Sequence, residues 1–206
     1  MPPRHAKAIA HLRAADPILG RWIAQAGPCA LTRERGGTHF AAVARSIIYQ
    51  QLSGKAAGTI HARFEALFGG KAPEARAVLK VKHAALRGIG LSERKAEYVR
   101  GLAEDVHRGR IPLERVDAMP DAEVIETLTQ VRGVGEWTAQ MFLMFRLGRP
   151  DVLPTLDLGI QTAIKRLYGL RTHPKPERVA KLGAKWAPYR TVASWYLWRV
   201  VDDPPQ

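Results

Sequence analysis

Apolar residues in this chain recur at three- and four-residue spacing almost throughout, and no stretch alternates apolar with polar over strand length. That period stacks one apolar stripe on a helix and offers a sheet no half-buried face, so an all-α fold is expected. Val43, Ile47, Ile48 and Leu52 mark a helix over 41–52, and Ile60, Phe64, Leu67 and Phe68 continue the pattern over 56–68 until Gly69-Gly70 breaks it. A new helix can begin at Pro73. Arg87-Gly88-Ile89-Gly90-Leu91 reads as a turn whose Ser92 caps a helix starting at Glu93, and Asp121 is expected to cap the helix carrying Val124, Ile125 and Leu128. Trp137, Met141, Phe142 and Phe145 then share a face until Gly148 and Pro150. Ile160, Ile164 and Leu167 form the next stripe, with Gly169 as a left-handed stop, and Pro188 suits the first turn of a last, aromatic-rich helix.

The charge balance narrows the class of partner. Among 206 residues, 32 Lys and Arg face 19 Asp and Glu, a formal net charge of +13. Such an excess favours a polyanionic partner, although a basic surface without a nucleic-acid role has the same composition. Cys29 is the one cysteine, which excludes an internal disulfide and a cysteine-held iron–sulfur cluster. The seven histidines are scattered without ligand spacing, which argues against a transition-metal site. No apolar run has the length of a signal-peptide core or a membrane span, so a cytoplasmic, nucleoid-associated monomer is the expectation.

Chemistry concentrates in the second half of the chain. Val131-Arg132-Gly133-Val134-Gly135 separates two helical segments, and a Gly-x-Gly turn there exposes backbone amides that a phosphate can approach closely. Alone it is also an ordinary tight turn. Pro154-Thr155-Leu156 then delivers Asp157 to the start of another helix, where it reads both as a helix cap and as a catalytic carboxylate held ionised by the capping amides. Asp151, six residues earlier, competes for that role but follows Pro150 in a turn. Trp137, Trp195 and Trp198, with Tyr49, Tyr189 and Tyr196, suit either core packing or the faces of a cationic planar ligand. Gln50-Gln51-Leu52-Ser53 suits an exposed tip able to probe a base stack, or a plain helix terminus. Arg87-Gly88-Ile89-Gly90 echoes the later turn, but a turn followed by a cap explains it.

Taken together, Ser46 to Ser53, Gly90-Leu91-Ser92 with Lys95-Ala96, the hairpin through Ala139, Pro150 to Asp157, and Trp186-Ala187-Pro188-Tyr189-Arg190 through Trp198 resemble the helix-hairpin-helix base-excision DNA glycosylases, most closely the DNA-3-methyladenine glycosylase II branch. The resemblance implies a two-lobed all-α fold with the active site in the cleft between lobes. Residues 1–38 would pack with a C-terminal lobe, 151–206, that carries the catalytic Asp. Residues 39–150 would form a helical barrel lobe containing the helix-hairpin-helix, 121–147.

By the same resemblance, Asp157 is the catalytic residue, and Trp137, Trp198, Tyr49, Met141 and Leu158 line the base pocket. Gln51, with Leu52 beside it, is the wedge that fills the space of a flipped base. Gly133, Gly135 and Thr138 take a DNA phosphate, and the carbonyls of Thr129, Val131 and Val134 hold a sodium or potassium ion. No other cofactor is implied, and the iron–sulfur cysteines of another branch are absent. Met141 and Leu158 replace tyrosines of some relatives, which makes the pocket less aromatic and leaves its preferred base open. Trp137 stands where bifunctional relatives carry a lysine, so strand cleavage through a Schiff base is not expected.

The chemistry implied is hydrolysis of the N-glycosidic bond of alkylated purines in damaged double-stranded DNA. A base already cationic needs no acid to protonate it, so one carboxylate suffices. Two other readings stay open at this point: the same fold acting on hypoxanthine, ethenoadenine or an oxidised purine, and a non-catalytic DNA-binding helix-hairpin-helix module.

Overall fold

A computed structural model of the chain describes residues 5–202. They form, in order, α1 (Ala6–Ala15), α2 (Pro17–Ala26), α3 (His39–Tyr49), α4 (Gly54–Ala66), α5 (Ala75–Leu79), α6 (His83–Gly88), α7 (Glu93–His107), α8 (Asp121–Thr129) and α9 (Glu136–Met141). A π-helical turn over Phe142–Leu147 follows, then α10 (Leu158–Leu167), α11 (Pro176–Gly183), a 3-10 turn over Ala184–Trp186, and α12 (Arg190–Asp202). Among the described residues there is no strand, and no helix is long and apolar enough to cross a membrane.

The chain divides into two compact units. Among the described residues, one joins those up to Arg33 to those from Leu143 onward; the other is continuous from Glu34 to Phe142. The breaks at 33/34 and 142/143 fall before the expected 38/39 and 150/151, the second within the π-helical turn.

In the discontinuous unit α12 is the central element. Thr191, Val192, Ser194, Tyr196, Leu197 and Val200 are all buried, so its apolar surface runs nearly all round, as in a helix packed on several sides. It packs against α10 and α2, and Leu12, Leu19, Trp22, Ile160, Ile164 and Trp186 fill the core around it. The loop before α10 is fastened to it: Thr191 Oγ1 donates to Arg149 O at 2.7 Å and accepts from Val152 N at 3.0 Å.

In the continuous unit α7 packs on α3 and α5, and α3 on α4. Local chemistry sets the helix starts. Thr38, Ser53 and Ser92 each accept a bond from the backbone N–H three residues on, at 3.0, 3.4 and 3.3 Å.

Several sequence expectations shift. α3 stops at Tyr49, which takes Gln50, Gln51 and Leu52 out of the helix: Gln50 turns the backbone out with a ψ of 133°, and Gln51 follows with a left-handed φ of 54°. Pro120 holds the cap position of α8, so Asp121 lies in the first helical turn, where its charge still suits the helix N-terminus. The helix after the hairpin is only six residues long before it widens into the π-helical turn. α12 begins at Arg190, which leaves Pro188 in the preceding turn. Gly169, at φ 63°, supplies the left-handed stop as anticipated.

Candidate active site

The hairpin lies in the continuous unit. Val134 N donates to Val131 O at 2.9 Å, and Gly133 stands third in that four-residue turn with φ 90°. A turn with positive φ at its third residue selects glycine there. A second constraint acts at the same place: a Cβ on Gly133 would come within 2.2 Å of the Tyr98 ring. Gly135 differs. Its φ of −95° is open to any residue, and a Cβ there would meet nothing within 4 Å. The bare backbone at 135 therefore answers no packing need inside the protein, and leaves room for close approach from outside.

Thr138, expected at the phosphate, is only 7% exposed, because its side chain turns into the packing of α9 rather than to solvent. Trp137, one residue earlier, is 48% exposed. Met141 and Tyr49 are half-buried, and one face of Tyr49 is covered by the Arg45 guanidinium at 4.4 Å from the ring centroid. Gln51 and Leu52 are exposed at the tip between α3 and α4.

The carbonyls of Thr129, Val131 and Val134 sit in and beside the hairpin turn. They are neutral oxygen donors, a set suited to a hard cation of low charge, and Val131 O retains a second lone pair beside its bond from Val134 N. Among the described residues no three His, Cys, Asp or Glu side chains group as a metal would require.

Asp157 lies in the discontinuous unit at the head of α10. Its Oδ1 accepts from Ile160 N at 2.8 Å and from the Trp198 indole N–H at 3.0 Å. The cap and the oriented carboxylate are thus one arrangement. Trp198 in turn stacks on Phe145, ring centroids 6.1 Å apart with planes 24° from parallel. Its indole edge is committed to Asp157, a task the sequence did not suggest for a pocket residue.

Gly159 makes room for the pair, since a Cβ there would lie 3.0 Å from Asp157 Oδ1 and 3.1 Å from Trp198 Cδ1. On either side of the carboxylate, Leu156 and Leu158 are 60% and 65% exposed. The two leucines leave apolar surface on both sides of the half-buried carboxylate, which suits a substrate-covered site.

Asp151 is accounted for. Arg190 donates to it from Nε at 2.7 Å and from Nη2 at 2.8 Å, and the Arg190 backbone N–H adds a third bond at 3.2 Å. The Arg190 guanidinium holds its carboxyl below the usual carboxylate range despite partial burial. Of the other aromatics singled out, Tyr196 is fully buried, with its hydroxyl on Gly27 O at 3.0 Å, and Trp195 packs edge-on against it. Tyr196 is a core residue, and the half-buried Trp195 packs against that core. Burial first, and then the nearby Cys29, push the Tyr196 hydroxyl up to about 12.

The two Gly-x-Gly turns separate cleanly. In the earlier one, Gly88 closes α6, Gly90 takes φ 103°, and Ser92 caps α7, so turn-plus-cap describes it in full.

Residues 44–189, a span that includes the hairpin and the capped carboxylate ahead of α10, match the HhH-GPD superfamily of base excision DNA repair proteins. This chain belongs to that superfamily. The HhH-GPD chain is 30% identical, over 92% of its length and 91% of the relative's, to the alkylbase DNA glycosidase-like protein mag2 of Schizosaccharomyces pombe. Its fold is similar to the crystal structure of a DNA-3-methyladenine glycosidase from Bacillus halodurans, with TM-score 0.85 and 38% identity over 95% of this chain and 89% of that one. It is also similar to the S. pombe 3-methyladenine DNA glycosylase Mag1 in complex with abasic DNA, with TM-score 0.84 and 32% identity over 97% and 99% of the two chains. A Bacillus subtilis relative, 35% identical, is longer, and this HhH-GPD chain spans 57% of it.

Proposed function

We propose that this protein is a monofunctional DNA glycosylase that hydrolyses the N-glycosidic bond of alkylated purines, of the 3-methyladenine and 7-methylguanine class, in duplex DNA. The observation that carries the reading is the inequality of its two neighbouring carboxylates. Asp151 is bound on both oxygens by Arg190, whereas Asp157 is aimed by a backbone amide and an indole between two exposed leucines. One oriented carboxylate without a second acid suits a leaving group that is already cationic.

In this mechanism the damaged nucleotide is swung out of the duplex, at a cost of a few kcal/mol that is least for a weakly paired base. Gln51, with Leu52, occupies the vacated space. Trp137 stacks on the flipped base, Tyr49, Met141, Leu158 and Trp198 complete the pocket, and the amides of Gly133 and Gly135 take a phosphate of the damaged strand. As the glycosidic bond breaks, its electron pair passes to the cationic base, which departs neutral. Asp157 stabilises the positive charge that develops on the sugar and orients the water that attacks it; that water's proton is then lost to solvent. The Thr129, Val131 and Val134 carbonyls would hold a sodium or potassium ion, which adds positive charge near the phosphate. Trp137 supplies no amine, so no Schiff base forms and the strand stays intact. The protein acts as a monomer on damaged double-stranded DNA.

The test is base release from duplex DNA containing 3-methyladenine or 7-methylguanine, read together with strand integrity before and after hot alkali. Free base with strand scission only after alkali is the expected result. Scission without alkali would overturn the monofunctional reading. Binding of lesion DNA without release would favour the non-catalytic module, and release confined to hypoxanthine, ethenoadenine or an oxidised purine would move the substrate class.

A further inference from the structure

Gln51 is the one non-glycine residue with positive φ among the described residues, at 54°. A side chain with a Cβ rarely adopts that conformation, and it persists only where the surroundings fix it. Two contacts do so. Lys95, in the first turn of α7, donates from Nζ to Ile48 O at 2.7 Å and to Gln50 O at 2.6 Å, taking two carbonyls at the C-terminal end of α3. Those carbonyls lie at the negative pole of the helix, where a cation is favoured. Gln50 reaches the other way, its Nε2 donating to Gly133 O at 2.8 Å within the hairpin. The residue on each side of the Gln50–Gln51 peptide is thereby accounted for: the turn is anchored to α7 through one side chain and to the hairpin through another. A concavity of about 780 Å³ bounded by Gln50, Gln51, Lys95, Tyr98 and Gly133 lies alongside.

We propose that Lys95 and Gln50 are positioning residues for base flipping, which lock Gln51 in its left-handed turn and tie it to the phosphate-binding hairpin so that wedge and clamp act as one piece. The inference rests on the reading of Gln51 as the wedge. Its chemical content is a fixed distance between the phosphate grip and the probing side chain, so that gripping the strand brings Gln51 to the base stack in register. Burial pushes the Lys95 ammonium pKa down, because the cation has been taken partly out of water.

The experiment compares wild type with Lys95→Met, Lys95→Arg and Gln50→Leu, using 7-methylguanine placed either opposite cytosine or opposite an abasic site, with enzyme in excess. Against the paired lesion, Lys95→Met and Gln50→Leu should slow release about tenfold, because the left-handed residue relaxes once its anchors go. Opposite the abasic site the loss should be about twofold or less, because little pairing then opposes flipping. Lys95→Arg keeps several donors on a cation and should restore most of the rate. Equal losses on both substrates, or no loss on either, would overturn the proposal. A second arm reads flipping without chemistry, through the brightening of 2-aminopurine in duplex DNA on protein binding. If wild type releases no alkylated base, the proposed activity fails while this arm still decides. Brightening by wild type and Lys95→Arg but not by Lys95→Met supports the positioning role, and equal brightening by all, or by none, removes it.

Discussion

Asp16 and Asp157 begin as the same device and end as different ones. Each caps a helix by accepting from a backbone N–H three residues on, and each accepts the indole N–H of a tryptophan far along the chain, Trp186 at 2.8 Å and Trp198 at 3.0 Å. Asp16 is then enclosed. It is fully buried, and its second oxygen also takes the Tyr168 hydroxyl and the Lys185 ammonium, the latter at 3.0 Å. Asp157 keeps only partial cover, between leucines that face solvent. Enclosing a capped carboxylate with donors yields a structural anchor. Leaving the same cap partly open, with its orientation fixed, gives the carboxylate that the proposed reaction needs.

The comparison breaks most sharply on substitution by asparagine. Asp157→Asn keeps an oxygen acceptor for Ile160 N and Trp198, so melting should stay within a degree or two of wild type, since Asn and Asp cap about equally well. Base release should nevertheless fall by roughly a thousandfold, the scale of removing a preorganised charge-stabilising group. Single-turnover release beside a thermal melt checks both halves. Asp16→Asn should do the reverse, because its amide NH₂ would face donors only and leave Lys185 without its counter-charge. A loss of about 2–3 kcal/mol in urea denaturation is expected, discounted for the partial exposure of Lys185, with the folded fraction still active.

Acid should distinguish the two sites next. Burial alone would raise the Asp16 pKa, but the bonds from Tyr168, Trp186, Lys185 and Leu19 N–H outweigh it and hold the carboxyl below its ordinary value. A group depressed on folding contributes fully above its unfolded pKa, and that contribution is lost as pH falls through the folded value. Asp151, held down by Arg190, adds to the same loss. Stability measured by urea denaturation should therefore decline below about pH 4, and the slope should be shallower in Asp16→Asn. The smallest effects concern the indoles. Trp198→Phe keeps the ring beside Phe145 but loses the donor, and should slow release about tenfold with little change in KM. Trp186→Phe should cost roughly 1–2 kcal/mol of stability and leave the rate alone.

What could be read in advance was what is local. The hairpin glycines, the Ser92 cap and the Asp157 cap each announce themselves within a few residues. The all-α class followed from periodicity, and the Asp151 turn from its proline. The fastening of these parts was not visible, because its partners are remote: Lys95 is 47 residues from Ile48, Gln50 is 83 from Gly133, and Asp16 is 170 from Trp186. Nothing in the spacing of Gln50-Gln51 marks the first amide as an anchor and the second as the exposed one. The early end of α3 was hidden for a related reason. Leu52 fits the helical period, and the extended ψ of Gln50 followed by the left-handed Gln51 takes it off the stripe.

The unit assembled from both chain ends has a consequence for biosynthesis. α1 and α2 leave the ribosome before the segment from Glu34 to Phe142, yet Leu12, Leu19 and Trp22 belong to a core whose other half comes from beyond Phe142. For more than a hundred residues of elongation these side chains have no final partner, while the segment from Glu34 to Phe142 can condense as soon as it emerges. The nascent chain therefore carries a condensed segment behind a sticky amphipathic helix pair, and that pair stays uncovered until the residues after Phe142 have emerged. Removing α1 and α2, or α10 to α12, should unravel the same unit, so damage before Glu34 and damage after Phe142 converge on one folding defect.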